Sequence, residues 1–301
     1  MDDYIALVKK HGGQRAAARE LGLARTTLQR RLYKQQEDAK QPQKKPPSPL
    51  DKITTIVYFT DAHNQPKLDK KRFFWLADYI NEKNPEHLVD GGDFDDLGSL
   101  CRHERNESYK GKFKPAFQDD LESANEARQI LHEEIKAPCT KYVTFGNHEA
   151  RLYDYEDANP EVYGMMQHAY EEILHKFGWG ITPYRAYKTI DDVDFTHVPM
   201  NMMNRPIGGK NPCNIISRDS IKDICFGHTH GLGYQINHKL GDQRSVRAFN
   251  GGCFMPDDYM PAYAKNSQKE FWSGVHLLKI INGKLNVCES ITMLELSQRY
   301  G

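Results

Sequence analysis

No run of about 18 consecutive apolar residues occurs in the 301-residue chain, so no membrane-spanning helix is expected. Cysteine is sparse and scattered. Cys101, Cys139, Cys213, Cys225, Cys253 and Cys288 form no CxxC pair, which argues against a disulfide framework and against a thiolate zinc site. Internal repeats are lacking. The opening residues Met1-Asp2-Asp3-Tyr4 do not follow the basic-then-apolar order of a secretory signal, so a cytoplasmic location is the default expectation. Net charge is also lacking, at +0 overall. What remains is 39% hydrophobic and 27% charged, a composition that suits a soluble globular body and excludes a disordered chain.

The zero net charge hides an uneven distribution. Residues 1–50 carry eleven Lys/Arg against five Asp/Glu, and the remainder is acidic by the same margin. Residues 37–50 hold four prolines and almost nothing apolar, which reads as a semi-extended linker. The expected division is therefore a small unit at 1–36, a Pro/Lys-rich linker at 37–51 and a large body at 52–301. The small unit reads as three short helices, over 4–10, 14–21 and 26–33, broken at Gly12-Gly13 and at Gly22. Its stretch from Gln14 to Leu32 resembles a helix-turn-helix DNA-binding motif: Ala18 is small where helices cross, Gly22 turns the chain, and Leu28 packs back. On that resemblance Arg25, Thr26, Thr27, Gln29, Arg30 and Arg31 line the helix offered to the major groove. The competing reading is a basic helical hairpin used for docking.

The body alternates strand-like and helix-like segments. Buried strands are expected at 53–60, 87–90, 142–145, 192–196 and 224–226, and helices at 73–82 and 121–135. Further strands are expected at 234–237, 244–250, 275–280 and 285–289. A basic, partly helical insertion at 98–120 interrupts the alternation, and 201–217 reads as a long polar segment. This order points to an α/β fold, a layered β-sandwich flanked by helices, with the small all-α domain before it.

Five polar clusters follow the strand-like runs: Asp61-Ala62-His63, Gly92-Asp93-Phe94-Asp95-Asp96, Gly146-Asn147-His148-Glu149, Thr196-His197 and Gly227-His228-Thr229-His230. Each stands at the carboxyl end of a strand, the edge where α/β sheets bind ligands. Carboxylate and amide oxygens mixed with imidazoles suit Mn²⁺, Fe²⁺ or Zn²⁺ better than Mg²⁺ or Ca²⁺.

Taken in this order, the five clusters resemble the calcineurin-like metallophosphoesterases, over about residues 53–287. The resemblance implies two divalent metal ions, manganese first, with iron, zinc or nickel as alternatives. It implies that Asp61, His63 and His230 hold one metal, that Asp93 bridges, and that Asn147, His197 and His228 hold the other. His148 is then the general acid or electrophilic donor at the leaving oxygen, and Asp96 orients it. A hydroxide shared by the metals would attack phosphorus in line. Arg151 and His103 are candidate substrate contacts. Two departures stand out. The family often has Gly after the lone histidine, where this chain has Val198. Its protein phosphatases carry Arg where this chain has Leu97, which disfavours that subtype.

The expected function is a DNA-directed phosphodiesterase, a nuclease, with DNA as partner and oligomeric state open. The alternative is a phosphomonoesterase or small-nucleotide phosphodiesterase with a docking N-terminal module; a DNA-binding regulator with an inactive body is the third. The pairing of so short a DNA-binding unit with such a body resembles what phage genomes encode, which would place it in host cytoplasm.

Overall fold

The computed structural model describes residues 4–24, 27–29, 32, 52–102, 114–241, 243–257, 259 and 271–301. The chain separates into two compact units, Met1–Asp51 and Lys52–Gly301.

In the first unit, α1 (Tyr4–Lys10) and α2 (Gln14–Glu20) are joined by Gly12 and Gly13, both at positive φ. Residues 27–29 are helical. Ala17, Ala18, Leu28 and Leu32 form the small core, with Val8 and Leu21 against it. Gly22 turns the chain at φ 62°, and Leu23 N–H donates to the Ala18 carbonyl at 2.9 Å. Thr27 is exposed and Gln29 half-buried. Arg25, Thr26, Arg30 and Arg31 lie outside the described residues, as does residues 37–50 of the proline-rich segment.

The second unit is a stack of helix, sheet, sheet and helix. The strands are β1 (Ile53–Phe59), β2 (His87–Asp90), β3 (Thr140–Thr144), β4 (Trp179–Thr182), β5 (Lys188–Ile190), β6 (Val193–Phe195), β7 (Asp223–Phe226), β8 (Leu232–His238), β9 (Ser245–Gly251), β10 (Gly274–Ile281) and β11 (Lys284–Thr292). One sheet runs β11-β10-β1-β2-β3-β4 and the other β5-β6-β7-β9-β8. Strands β1 to β4 are mutually parallel, and so are β6, β7 and β9.

Both faces of the first sheet are covered, so β1 is apolar on both faces rather than on alternate residues. Its side chains still divide by parity. Ile56 and Tyr58 enter the core between the sheets, with Phe195, Cys225, Phe249 and Leu278. Val57 and Phe59 face the helical layer, with Phe73, Leu76, Leu131, Leu174 and Leu296. That layer comprises α3 (Lys71–Lys83), α4 (Phe117–Glu134), α5 (Ala150–Ala158), α6 (Met165–Lys176) and α8 (Met293–Tyr300). In α3, buried Phe73, Leu76, Ala77 and Ile80 recur at helical spacing, and Asn84 closes the helix at φ 45°. On the far side α7 (Pro212–Asp219) packs Cys213 and Ile216 against Ile224, Phe226 and Ala248.

The polar segment expected at 201–217 therefore needs correction: its end is a helix, begun by Pro212 at the first turn. Strand β4 was not expected, because four residues containing Gly180 are too short to show a period. The edge helps explain it: β4 closes one side of the first sheet and pairs only with β3. The insertion expected at 98–120 holds one 3₁₀ turn, Gly98–Leu100, and the start of α4; residues 103–113 lie outside the described residues, His103 among them. Among the described residues no helix is long and apolar enough to cross a membrane.

One buried histidine makes the fold pH-sensitive. His276 on β10 is 0% exposed, stacked on Trp272 at 4.7 Å, with its ring nitrogens 2.8 Å from Ser290 Oγ and 2.9 Å from the Gly251 carbonyl. Burial pushes its pKa from 6.5 down to about 4. The folded state thus favours the neutral ring, and the unfolded chain takes up the proton first. Its contribution is complete above pH 6.5 and is lost as pH falls toward 4, by about 3 kcal/mol. Urea unfolding between pH 7 and 4 should show that decline in the wild type and a shallower one in His276→Gln; parallel declines would contradict this origin.

Candidate metal centre

The carboxyl ends of β1, β2, β3, β6 and β7 deliver the five polar clusters to one place. The first two loops are zipped together past the strand ends. Asp61 N–H donates to the Gly92 carbonyl at 2.9 Å, His63 N–H to Asp93 O at 3.0 Å, and Asn64 N–H to Phe94 O at 2.6 Å. Asp61, His63, Asp93, His228 and His230 all have positive φ, between 44° and 72°. Non-glycine residues rarely adopt that conformation, at a cost of about 1–3 kcal/mol each, and it is typical of sites that the surrounding fold over-determines. Here it turns each side chain inward just where its strand stops.

Three groups of donors result: Asp61 with His63 and His230, Asp93 with His197 and His228, and His63 with Asp93 and His148. In the first group His63 Nε2 and His230 Nε2 are 3.2 Å apart, and His230 Nε2 lies 3.1 Å from Asp61 Oδ1. In the second, His197 Nε2 is 3.1 Å from Asp93 Oδ2 and 3.3 Å from Asn147 Oδ1. The His197 ring is oriented by its Nδ1, 2.9 Å from the Gly91 carbonyl, so Nε2 faces the centre. Asp93 Oδ1 accepts from His148 N–H at 2.8 Å, leaving Oδ2 toward His197.

Electrostatics bind these groups together. Burial disfavours charge on Asp61 and Asp93, but the surrounding imidazoles together outweigh it, His197 foremost, and both carboxyls titrate below their ordinary range. Burial likewise opposes a charged His197, yet Asp93 and Asp61 raise its pKa to about 10. Buried negative charge surrounded by imidazole nitrogens and an amide oxygen suits a divalent cation of the Mn²⁺, Fe²⁺ or Zn²⁺ type. The donor sets are therefore fit to hold two such ions.

His148 stands beside the centre. Its Nδ1 is 2.9 Å from the Asp96 carbonyl and 3.1 Å from Asp96 Oδ1. Burial disfavours the charged ring, but Asp93 and Asp96 outweigh it, and its pKa lies above the ordinary value. Arg151 donates to Asp96 O at 2.6 Å and places Nη2 3.0 Å from His148 Nε2.

Several residues that sequence reasoning left without a role frame this geometry. Glu149, fully buried, accepts from the backbone N–H groups of Asp93 (3.0 Å), Phe94 (2.9 Å) and Gly146 (2.8 Å), clamping two loops. Burial, with Asp93 and Asp90 nearby, pushes its carboxyl up to about 7. Asp95 accepts from Asn64 Nδ2 at 2.6 Å and from the Tyr170 hydroxyl at 2.7 Å. Gly146 must be glycine, since a Cβ there would lie 2.0 Å from Asp93 Oδ1. The signal for Glu149 was its place in Gly-Asn-His-Glu; Tyr170, 75 residues from Asp95, left none.

The family description that matches residues 54–232 is calcineurin-like phosphoesterase. The match spans more than half of the chain, and the chain belongs to that family. It is a metal-dependent phosphoric ester hydrolase. Among solved structures it is similar to one reported as the structural and biochemical characterization of Yfce, a phosphoesterase from E. coli. Identity is 15%, 79% of this chain and 99% of that chain are covered, and the TM-score is 0.34, too remote to bear on the site. No curated protein matches the chain.

Proposed function

We propose that the protein is a dinuclear-metal phosphodiesterase acting on DNA, with manganese as its metal. The observation that carries the reading is the pair of oxygen–imidazole donor sets, one around Asp61 and one around Asp93, at a single sheet edge. The DNA-directed part rests on the basic N-terminal unit, whose helices pack through Ala17, Ala18, Leu28 and Leu32 with a left-handed turn at Gly22.

Asp61, His63 and His230 would hold one ion, Asn147, His197 and His228 the other, and Asp93 would serve both. Bound there, the two ions supply Lewis acidity and an activated water. The chain itself supplies orientation and the proton. Asp96 fixes His148 through Nδ1, so Nε2 faces the leaving oxygen. A substrate oxygen entering beside Arg151 takes over its donor and frees Nε2 to carry the proton that the leaving oxygen receives. The buried carboxylates favour that charged imidazole before the transfer.

The test is hydrolysis of linear DNA, bis-p-nitrophenyl phosphate and p-nitrophenyl phosphate with Mn²⁺, for the full chain and for one lacking residues 1–50. Both diesters should be cut, and loss of the N-terminal unit should weaken DNA cleavage by about 10²-fold through lost tethering while sparing the small diester. Monoester turnover with intact DNA would replace this reading by a phosphatase with a docking module.

A further inference from the structure

A cleft of about 590 Å³ opens beside the centre, reaching Asn147 at one end. Three arginines line it: Arg102, Arg151 and Arg185. Arg102 donates to the Asp154 carbonyl, Arg151 to the Asp96 carbonyl, and the Arg185 guanidinium lies 5.1 Å from the centre of the Tyr184 ring. Among the described residues none of the three has a carboxylate partner, and Asp154 is the only acid in the lining. Excess positive charge of this kind next to a phosphoryl-transfer centre is unusual unless it is used, since unpaired guanidinium groups in one concavity repel each other.

A second observation is independent of charge. Arg185 occupies the third position of the turn after β4, closed by Ala186 N–H to Pro183 O at 3.0 Å, with φ 67°. Glycine is the usual residue at that position of a turn with positive φ, because any Cβ is strained there. An arginine held at that cost, at the same sheet edge as the donor clusters, indicates a side chain kept for what it contacts.

We propose that this cleft is a subsite for a second phosphate, adjacent to the one at the metal centre, with the Tyr184 ring as the surface for the intervening sugar or base. The proposal deepens, and rests on, the phosphodiesterase reading. Arg151 stands between the two positions, touching His148 on one side and lining the cleft on the other. Arg102 and Arg185 are assigned to the neighbouring phosphate. A substrate with consecutive phosphates fills both positions; an isolated ester fills one.

The readout is the ratio of kcat/KM for tetrathymidylate to that for bis-p-nitrophenyl phosphate, with Mn²⁺. In Arg102→Ala/Arg185→Ala it should fall roughly tenfold or more, chiefly through KM, because two charge-assisted contacts are lost. The double lysine variant should keep most of it. An unchanged ratio in the alanine variant overturns the subsite. Turnover of the small diester reports that the variant is folded. If the wild type turns over that diester but cuts no oligonucleotide, the DNA reading fails on its own. The cleft is then judged by inhibition of the small diester's turnover. Thymidine 3′,5′-bisphosphate inhibiting more tightly than thymidine 5′-monophosphate, with the preference lost in the alanine variant, assigns the subsite to a small bisphosphate. No preference overturns it.

Discussion

Asp93→Asn is expected to lower diester hydrolysis by on the order of 10³-fold, since metal-borne charge stabilisation contributes several kcal/mol and each decade corresponds to 1.36 kcal/mol. The substitution is nearly isosteric. The acceptor for His148 N–H, now 2.8 Å from Oδ1, can be kept. What is lost is the negative charge on Oδ2, 3.1 Å from His197 Nε2, and with it the ability to serve two ions at once. Among the described residues no other carboxylate stands between the two donor groups to substitute for it. Metal content should fall below two ions per chain, while thermal unfolding of the metal-free protein changes little. A variant that hydrolyses the diester within tenfold of wild type, with both ions bound, would remove Asp93 from the bridging role.

The second large effect is on stability. Arg128 is 0% exposed on α4, and its Nη2 donates to Asp90 Oδ2 at 2.7 Å. Its guanidinium carbon lies 3.5 Å from the Phe94 ring centre and 4.3 Å from that of Trp179. Burial opposes the charge, but Asp90 together with Tyr170 and Asp95 outweighs it and holds the Arg128 pKa up. Asp90 in turn accepts from Gly92 N–H at 3.0 Å, so the pair supports the loop that carries Asp93. Arg128→Met should cost about 3–5 kcal/mol, because it leaves a buried carboxylate without its partner. Asp90→Asn/Arg128→Met should recover a good part of that loss, since asparagine keeps the acceptor for Gly92 and carries no charge. Urea midpoints decide it: a double variant no more stable than the single one would mean that the arginine acts through packing instead.

These two residues mark what a reader of the chain can and cannot see. Asp93 is legible because it stands in Gly-Asp after an apolar run, one of five such clusters. Arg128 has no such context: it sits in the interior of a polar-looking helix 38 residues from its partner. The strand–helix alternation and the layered α/β architecture could be read from the sequence, because a core face imposes its period on neighbouring residues. Strand β4 and the helix at Pro212–Asp219 leave no readable period in the sequence, as their apolar positions are few or shared with loops.

The donor chemistry was likewise determined by the sequence itself. Aspartate, asparagine and histidine types at strand ends specify what kind of ion the body can hold, and side-chain chemistry does not depend on the fold. Which of the thirteen histidines come together was decided by tertiary structure. His197 and His228 approach each other to 5.3 Å between ring centres, while His276, as buried as His197, lies in the core between Trp272, Phe249 and Tyr58. The arginine cleft is of the same kind. Arg102, Arg151 and Arg185 come from three separate segments, and only the parallel order of β2, β3 and β4 places them side by side. Convergence of this sort is set by strand order and by left-handed turns at strand ends. Both arise from long-range packing, which no local period in the chain records.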